Sequence, residues 1–402
     1  MKKVFLSFMS LAVIFSCNSK FSTDDFSDEY NSLSDSASDT ESFDKMLKVK
    51  FNNTYKGLYK ENEKIARADP NNPDKLFVKL IDTAKKTLDI CVFDIEEETA
   101  YKSIIKAHKR GVKVRVITDS DNLNDKVRPS QPRQAIEDMK KAGITVVDDV
   151  RTALMHHKFA VIDEEIVLTG SLNLTVNSLF RDNNNALRIV SKELAQSYTY
   201  EFERMFVQKV FNAEGRQVPF PQVKVAGADI KLYFSPRGGT RQAVIDELKK
   251  AKKSIYFMTF SLTDKETIDL LLEKHKNGVK VEGIFDGCMI SKYSGFLTLI
   301  KKELPVYLDG NQALLHNKVF IIDDSIIITG SYNFSKNAED NNNENTLVIN
   351  SPRLAKDYFD EFKKLKYAAK VHTNLPPYDN RTCGSKDNGN DDTSNLKNVI
   401  KK

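Results

Sequence analysis

The 402-residue chain is 40% hydrophobic and 29% charged, with four cysteines and no tryptophan. That length suffices for two or three domains with buried cores, and the composition excludes a polytopic membrane protein, a wholly disordered chain and a disulfide scaffold. The net charge of +5 is unevenly spread: residues 18–44 carry −7, and once these and the +2 of Lys2 and Lys3 are set aside, residues 45–402 carry +10. Such a surplus favours anionic partners such as phospholipid headgroups or nucleic acid.

Lys2 and Lys3 precede an apolar run, Val4 to Phe15. It is shorter than the ~20 residues that span a bilayer and suits a signal-peptide core, residues 1–17. The run closes as Val13-Ile14-Phe15-Ser16-Cys17, which resembles a bacterial lipobox. That resemblance implies lipidation of Cys17 and an exported lipoprotein anchored at a bacterial membrane, facing periplasm or cell surface. An ordinary secretory signal is the alternative. Residues 18–44, rich in Ser and Asp, are expected to form a disordered acidic tether, and residues 373–402 a flexible tail. Cys91 lies in an apolar strand pattern and reads as a buried thiol. With Cys17 lipidated, at most one disulfide is possible. No Cys/His spacing suggests zinc and no carboxylate cluster suggests another metal, so neither metal nor cofactor is expected.

The body repeats itself, with halves at 45–211 and 212–372. The first half reads as helix (Asp74–Lys86), strand (Leu88–Ile95), helix (Glu97–Arg110) and strand (Val112–Thr118). The second reads as helix (Thr240–Lys253), strand (Ser254–Phe260), helix (Asp264–Asn277) and strand (Val279–Phe285). Gly111 and Gly278 stop equivalent helices, and His108 and His275 suit the helix dipole just before them. Further on the offset is a constant 160 residues: strand Met155–Ile162 pairs with Leu315–Ile322, and Ile166–Asn173 with Ile326–Asn333. Asn212–Gly239, with three prolines, reads as the linker into the second half. Alternating strands and helices predict two α/β domains, each a mixed sheet flanked by helices.

Polar residues kept inside these apolar strands carry the information. They are His156, Lys158, Asp163, Gly170, Ser171 and Asn173, and in the second copy His316, Lys318, Asp323, Gly330, Ser331 and Asn333. Residues two apart share a strand face, so His156 and Lys158 emerge together and His157 points away. Asp163 and Asp323 have the opposite parity and are expected to tie down their hairpins. Two buried lysines without an anion would be costly, so the duplicated cluster calls for a ligand.

The pattern HxKxxxxDx6GSxN, present twice without gaps, resembles the signature of the phospholipase D superfamily, and the likeness extends from about Asp74 to Lys366. The resemblance implies that two such domains pack about a pseudo-twofold axis around one shared site. One histidine then forms a phosphohistidine while the other protonates the leaving alcohol and later activates water. It assigns Lys158, Lys318, Asn173 and Asn333 to the phosphate oxygens, with Ser171 and Ser331 adding hydrogen bonds, and it needs no metal. Glu344 lies 28 residues after His316, and Asn184 holds the equivalent place after His156. A family residue near there bonds the imidazole Nδ1, so Glu344 is expected to serve His316, marking it as the acid and His156 as the nucleophile. Two motifs in one chain make an oligomer unnecessary.

Substrate is open at this level. Export and anchoring favour phospholipid headgroup hydrolysis or transfer, and Met289–Leu299 offers apolar side chains for an acyl entry. The alternative is a nuclease: the second motif, with Asn343-Glu344-Asn345 beyond it, resembles the short endonuclease branch, and the basic body suits DNA or RNA. A binding protein without activity is disfavoured, because both copies keep every reacting residue.

Overall fold

The computed structural model describes residues 37–54, 59–126, 128–213 and 215–371. The signal-like segment with Cys17, most of the acidic tether, Cys383 and the tail lie outside the described residues. The chain divides into Met1–Glu41 and Ser42–Lys402, and both sheets and the site between them belong to the second unit.

In chain order the first lobe comprises α1 (Ala37–Met46), β1 (Leu47–Phe51), α2 (Tyr59–Ala68), α3 (Pro73–Thr83), β2 (Thr87–Val92), α4 (Glu98–Lys109), β3 (Lys113–Thr118), α5 (Gln134–Lys141), β4 (Thr145–Asp148), β5 (Lys158–Ile162), β6 (Ile166–Gly170), α6 (Val176–Phe180), β7 (Asn185–Val190) and α7 (Lys192–Phe206). The second comprises β8 (Gln222–Val225), β9 (Ala228–Ser235), α8 (Thr240–Lys250), β10 (Ser254–Thr259), α9 (Lys265–Lys276), β11 (Lys280–Phe285), α10 (Gly295–Lys301), β12 (Val306–Leu308), β13 (Lys318–Ile322), β14 (Ile326–Gly330), α11 (Lys336–Asp340), β15 (Glu344–Asn350) and α12 (Pro352–Val371).

The first sheet runs β1-β7-β6-β5-β2-β3-β4 and the second β8-β9-β15-β14-β13-β10-β11-β12, the same order with β8 added at one edge. Both are mixed: β2–β3–β4 and β10–β11–β12 pair in parallel, the other neighbours antiparallel. The expected α/β class with two mixed sheets flanked by helices is what the chain adopts.

A central core takes side chains from both sheets and from α7 and α12, among them Tyr198, Phe202, Phe234, Tyr358 and Phe362, all buried. Each such side chain contributes about 1.5–3 kcal/mol of burial, which fixes the two sheets against each other. Separate cores lie under the outer helices of each lobe.

Several boundaries differ from the sequence reading. Ala37–Asp44, expected in the tether, is helical; Asp44 pairs with Lys48 and with Arg353 (3.0 Å), whose guanidinium covers Phe43. The expected linker contains β8 and β9, where alternate Val223, Val225, Ile230, Leu232 and Phe234 turn into the core. Helix α3 stops at Thr83, short of Lys86, because the Asp163 carboxylate accepts the backbone N–H groups of Lys85 (2.9 Å), Lys86 (2.6 Å) and Thr87 (3.0 Å) and directs the chain into β2. Asp323 does the same for Lys252, Lys253 and Ser254. Both aspartates thus tie down hairpins, as their parity implied.

Strands β6 and β14 end at the motif glycines. A Cβ on Gly170 would lie 2.4 Å from Asn185 O, and one on Gly330 2.1 Å from Asn345 O, so only glycine allows β7 and β15 to approach. Ser171, Asn173, Ser331 and Asn333 therefore sit in the loops beyond the strands rather than on them.

Candidate active site

Strands β5 and β13 begin at the motif lysines, in register with the ends of β2 and β10 (Val92↔Lys158, Thr259↔Lys318). The residues just before leave their own sheets and pair with the opposite lobe. His156 N–H donates to Asn343 O (2.9 Å) and Asn343 N–H to Leu154 O (2.8 Å). In the other copy, His316 N–H donates to Asn183 O (2.9 Å) and Asn183 N–H to Leu314 O (2.7 Å). This exchange lays both histidine-bearing segments along the lobe junction.

The side chains are exchanged too. His156 Nδ1 lies 2.8 Å from Glu344 Oε2, which also accepts Ser331 Oγ–H (2.7 Å). His316 Nδ1 lies 2.9 Å from Asn184 Oδ1, which also accepts Ser171 Oγ–H (2.7 Å). Glu344 thus serves His156, not His316 as expected, and Asn184 serves His316. The reason is the backbone exchange: Asn343, next to Glu344, is tied to the His156 main chain, so the carboxylate reaches across. The serines hold these acceptors in place rather than facing outward. Neither ring's Nε2 has a hydrogen-bond partner among the described residues.

Lys158 and Lys318 are almost wholly buried, and each Nζ donates to the carbonyl of its own histidine, at 2.9 and 2.7 Å. Phe93 and Phe260 complete the two walls. Phe93 meets the His156 ring edge-on at 5.1 Å and Phe260 meets His316 at 5.0 Å, while the Lys158 and Lys318 ammoniums stand 5.3 and 4.6 Å from the same rings. Burial lowers the Lys158 pKa to about 8 and that of Lys318 well below its ordinary value, the latter also through repulsion from Lys158. Burial and then the two ammoniums push both His156 and His316 well below the usual imidazole range, and burial lifts Glu344 to about 7 against the pull of Lys158. Each motif's lysine acts on the other motif's histidine, so the two halves share one electrostatic environment. Asn173 and Asn333 each leave a buried Oδ1 without a partner at equivalent places. Two buried lysines with no carboxylate partner among the described residues, beside two imidazoles kept neutral, form a site fitted to an anion.

Beside the motif residues named from the sequence, the structure places others that the sequence reading missed. Asp119 Oδ2 accepts Met155 N–H (2.8 Å) and Asp286 Oδ2 accepts Leu315 N–H (2.8 Å), fixing the backbone just before each histidine. Both stand just after the strand that follows the second repeated helix (β3 and β11), a signal visible in the internal alignment, as is the Phe93/Phe260 pair. Burial holds Asp119 at about 6 and Asp286 at about 8. Cys91 is a buried free thiol, as expected, and Cys288 is disulfide-bonded. Met289 and Tyr293 are exposed, whereas Ile290 and Phe296 are core, so Met289–Leu299 divides between surface and interior. Among the described residues no group of three His, Cys, Asp or Glu side chains is arranged to hold a metal, and no helix is long and apolar enough to cross a membrane.

Residues 77–206 and 244–366, more than half of the chain, each match the family model described as cardiolipin synthase, PLD-like domain. The chain is 36% identical over 132 residues to a mitochondrial cardiolipin hydrolase from Xenopus laevis, covering 33% of this chain and 60% of that protein's length. It is 30% identical over 176 residues to a phospholipase D from Rickettsia typhi, covering 43% of this chain and 86% of the relative. The phosphatidylserine synthase of Haemophilus influenzae superposes with a TM-score of 0.57 at 15% identity, over 83% of this chain and 90% of that one, and shares the fold.

Proposed function

The chain belongs to the phospholipase D superfamily, and from that premise we propose that it cleaves membrane glycerophospholipids at the headgroup phosphodiester through a phosphohistidine. The observation that carries the chemistry is the pair of imidazoles held at Nδ1 by the opposite lobe, each with Nε2 free, beside two buried lysines that lack a carboxylate partner. The negative charge of the bound phosphodiester offsets the two ammoniums and lets His316 carry a proton on Nε2. In the first step His156 Nε2 forms a bond to phosphorus, the bond to the leaving oxygen breaks, and His316 gives that oxygen its proton. In the second, water attacks phosphorus, His316 takes the water proton, and the N–P bond breaks. Lys158, Lys318, Asn173 and Asn333 hold the non-bridging oxygens throughout.

The division of roles follows from the partners. A phosphorylated imidazole that keeps its Nδ1–H is cationic, and the Glu344 carboxylate stabilises it. An amide oxygen orients His316 without holding its proton, which suits a group that must release and recover one. The lipid substrate is supported by the relatives named cardiolipin hydrolase and phospholipase D, and by the export signal and lipidated Cys17 read from the sequence. The same signal-like segment and lipobox-like Cys17 support the reading of a lipoprotein facing periplasm or cell surface.

The test incubates the protein, with chelator, against vesicles of phosphatidylcholine or cardiolipin and against single-stranded DNA. Headgroup release from vesicles is the expected result, and a primary alcohol captured in the product would add transfer to hydrolysis. Cleavage of DNA with inert vesicles would replace the lipid reading with a nuclease.

A further inference from the structure

Strands β2, β3 and β4 run parallel, and so do β10, β11 and β12, so in each sheet the loops that follow them leave at one end. That end holds the site: Phe93 and Phe260 stand against the histidine rings there, and Asp119 and Asp286 fix the backbone before His156 and His316. The same loops carry large apolar side chains into solvent. Val150, just past β4, is 83% exposed; Tyr293, past β11, is 68% exposed, with Met289 at 39%.

Val150 is held there against its own preference. Its φ is +51°, a left-handed value that a β-branched residue seldom adopts. The neighbours impose it: Asp149 Oδ1 accepts Ser120 N–H (3.1 Å), Ser120 Oγ–H donates to Arg151 O (3.2 Å), and Arg151 Nη2 donates to Asn343 Oδ1. The second copy has Gly310 at this position, where a Cβ would lie 2.3 Å from Ala368 O in the last turn of α12. Helix α7 ends at Phe206, before the corresponding turn, and Val150 stands in the open. The cations of the first-lobe loops are already matched. Lys126 and Arg133 pair with Asp94 (2.9 and 2.6 Å), Arg128 with Asp125 (3.5 Å) and Arg151 with Asp149 (3.5 Å), and Asp121 is exposed among them. In the second lobe the Lys292 ammonium lies over the Tyr293 ring, 5.0 Å from its centroid.

We propose that this end of the molecule docks on the interface of a phospholipid bilayer, with Val150 from one lobe and Tyr293 and Met289 from the other as its apolar contacts. A nucleic-acid strand needs cations for its phosphates, and here those cations are committed to carboxylates. A bilayer interface instead accepts apolar tips, a phenolic ring and a lysine that reaches outward. Docking by this end sets the histidines at headgroup level, so a lipid is cleaved without leaving its layer. The chain has the reach: Cys17, the expected lipid attachment, precedes Ala37 by 20 residues, a span of up to about 70 Å. The inference rests on the lipid reading above.

The chain has no tryptophan, so one placed at the docking face reports alone. Full-length Tyr293→Trp is mixed with vesicles of phosphatidylcholine brominated in its acyl chains. Quenching is expected, and it should persist at about 0.5 M salt, which screens contacts between exposed charges. Glu165→Trp, on the turn between β5 and β6 at the opposite end of the sheet, should not be quenched. Equal quenching of both, none of either, or quenching of Tyr293→Trp that salt removes would overturn the proposal. Val150→Gly suits the left-handed backbone and keeps the fold. Combined with Tyr293→Ser, it is expected to lower headgroup release from phosphatidylcholine vesicles about tenfold and to leave turnover of the soluble diester bis(4-nitrophenyl) phosphate unchanged. An equal loss on both substrates, or no loss on vesicles, overturns the docking face while the lipid reading stands. Wild type that cleaves the soluble diester and no vesicle lipid sinks the lipid reading itself, and this inference with it.

Discussion

The two lobes carry the same polar motif on the same spacing but bury it among different charges. In the first lobe three buried acids have guanidinium partners: Asp94 with Arg133 (2.6 Å), Asp149 with Arg151 (3.5 Å) and Glu201 with Arg216 (2.8 Å). In the second, Ser261 stands where Asp94 does, Asn311 where Arg151 does, and neither Asp309 nor Glu361 has an arginine among the described residues. Burial pushes both of these carboxyls to about 7. Asp309 keeps some surface at the residue level, but its Oδ1 is shielded and unpartnered. The motif side chains are thus duplicated, while the charges around them are not. In the proposed reaction one imidazole bonds to phosphorus while the other moves a proton, and a symmetric scaffold needs that difference to carry it out.

The largest effects should come from the histidines, and they would break the comparison outright if they matched. His156→Ala and His316→Ala are each expected to lower turnover of an alkyl phosphodiester by about 10⁴ or more. With a 4-nitrophenyl leaving group, which departs without a proton, His316→Ala should regain formation of the covalent intermediate in a burst of nitrophenol, and His156→Ala should not. Equal bursts from both variants would mean that the lobes are interchangeable.

Lysine variants sharpen the picture through stability. Lys158 is lowered to about 8 in the folded state, so between about 8 and its ordinary 10.5 the unfolded chain binds more protons, and stability rises with pH across that window. Below it the full cost of the buried ammonium is present. Lys158→Met should lower activity by about 10²–10³. It should also raise or preserve stability at pH 7, by as much as about 1–3 kcal/mol, and abolish the gain expected of wild type with added tungstate or phosphate. A destabilised variant that still gains from tungstate would remove the lysine from the anion site.

The smallest effect separates the acids. Asp309, raised to about 7 from 3.8, makes the folded state bind more protons in that window, so its contribution is present below about 4 and lost as pH rises through 7. Asp309→Asn should leave the melting temperature unchanged at pH 4 and raise it at pH 8, whereas Asp149→Asn, which strips Arg151 of its carboxylate, should not raise it at pH 8. Identical pH dependence in the two variants would mean that the arginine in the first lobe is immaterial.

Much of this was legible in the sequence because a repeat is its own alignment. The constant offset singled out His156, Lys158, Ser171, Asn173 and their copies, and parity separated Asp163 and Asp323 as hairpin ties. The partner of each histidine was not legible. Glu344 follows His316 in the chain, and only the backbone pairing of Asn343 with His156 sends it to the other ring. Strand β1, Leu47–Phe51, was hidden because its two lysines dilute a five-residue apolar pattern, and β8 and β9 because prolines and a glycine turn surround them. Phe93 and Phe260 read as ordinary strand apolar residues until the rings were placed against the imidazoles.

The exchanged pairing bears on how such a duplication can change with time. Each imidazole depends on a side chain encoded far away in the opposite copy, 188 positions from His156 to Glu344 and 132 between Asn184 and His316. Neither copy can lapse into an inert scaffold while its twin keeps working, because the lapse would remove the twin's own support. Cutting the gene between the halves should likewise give two silent fragments whose activity returns only on mixing.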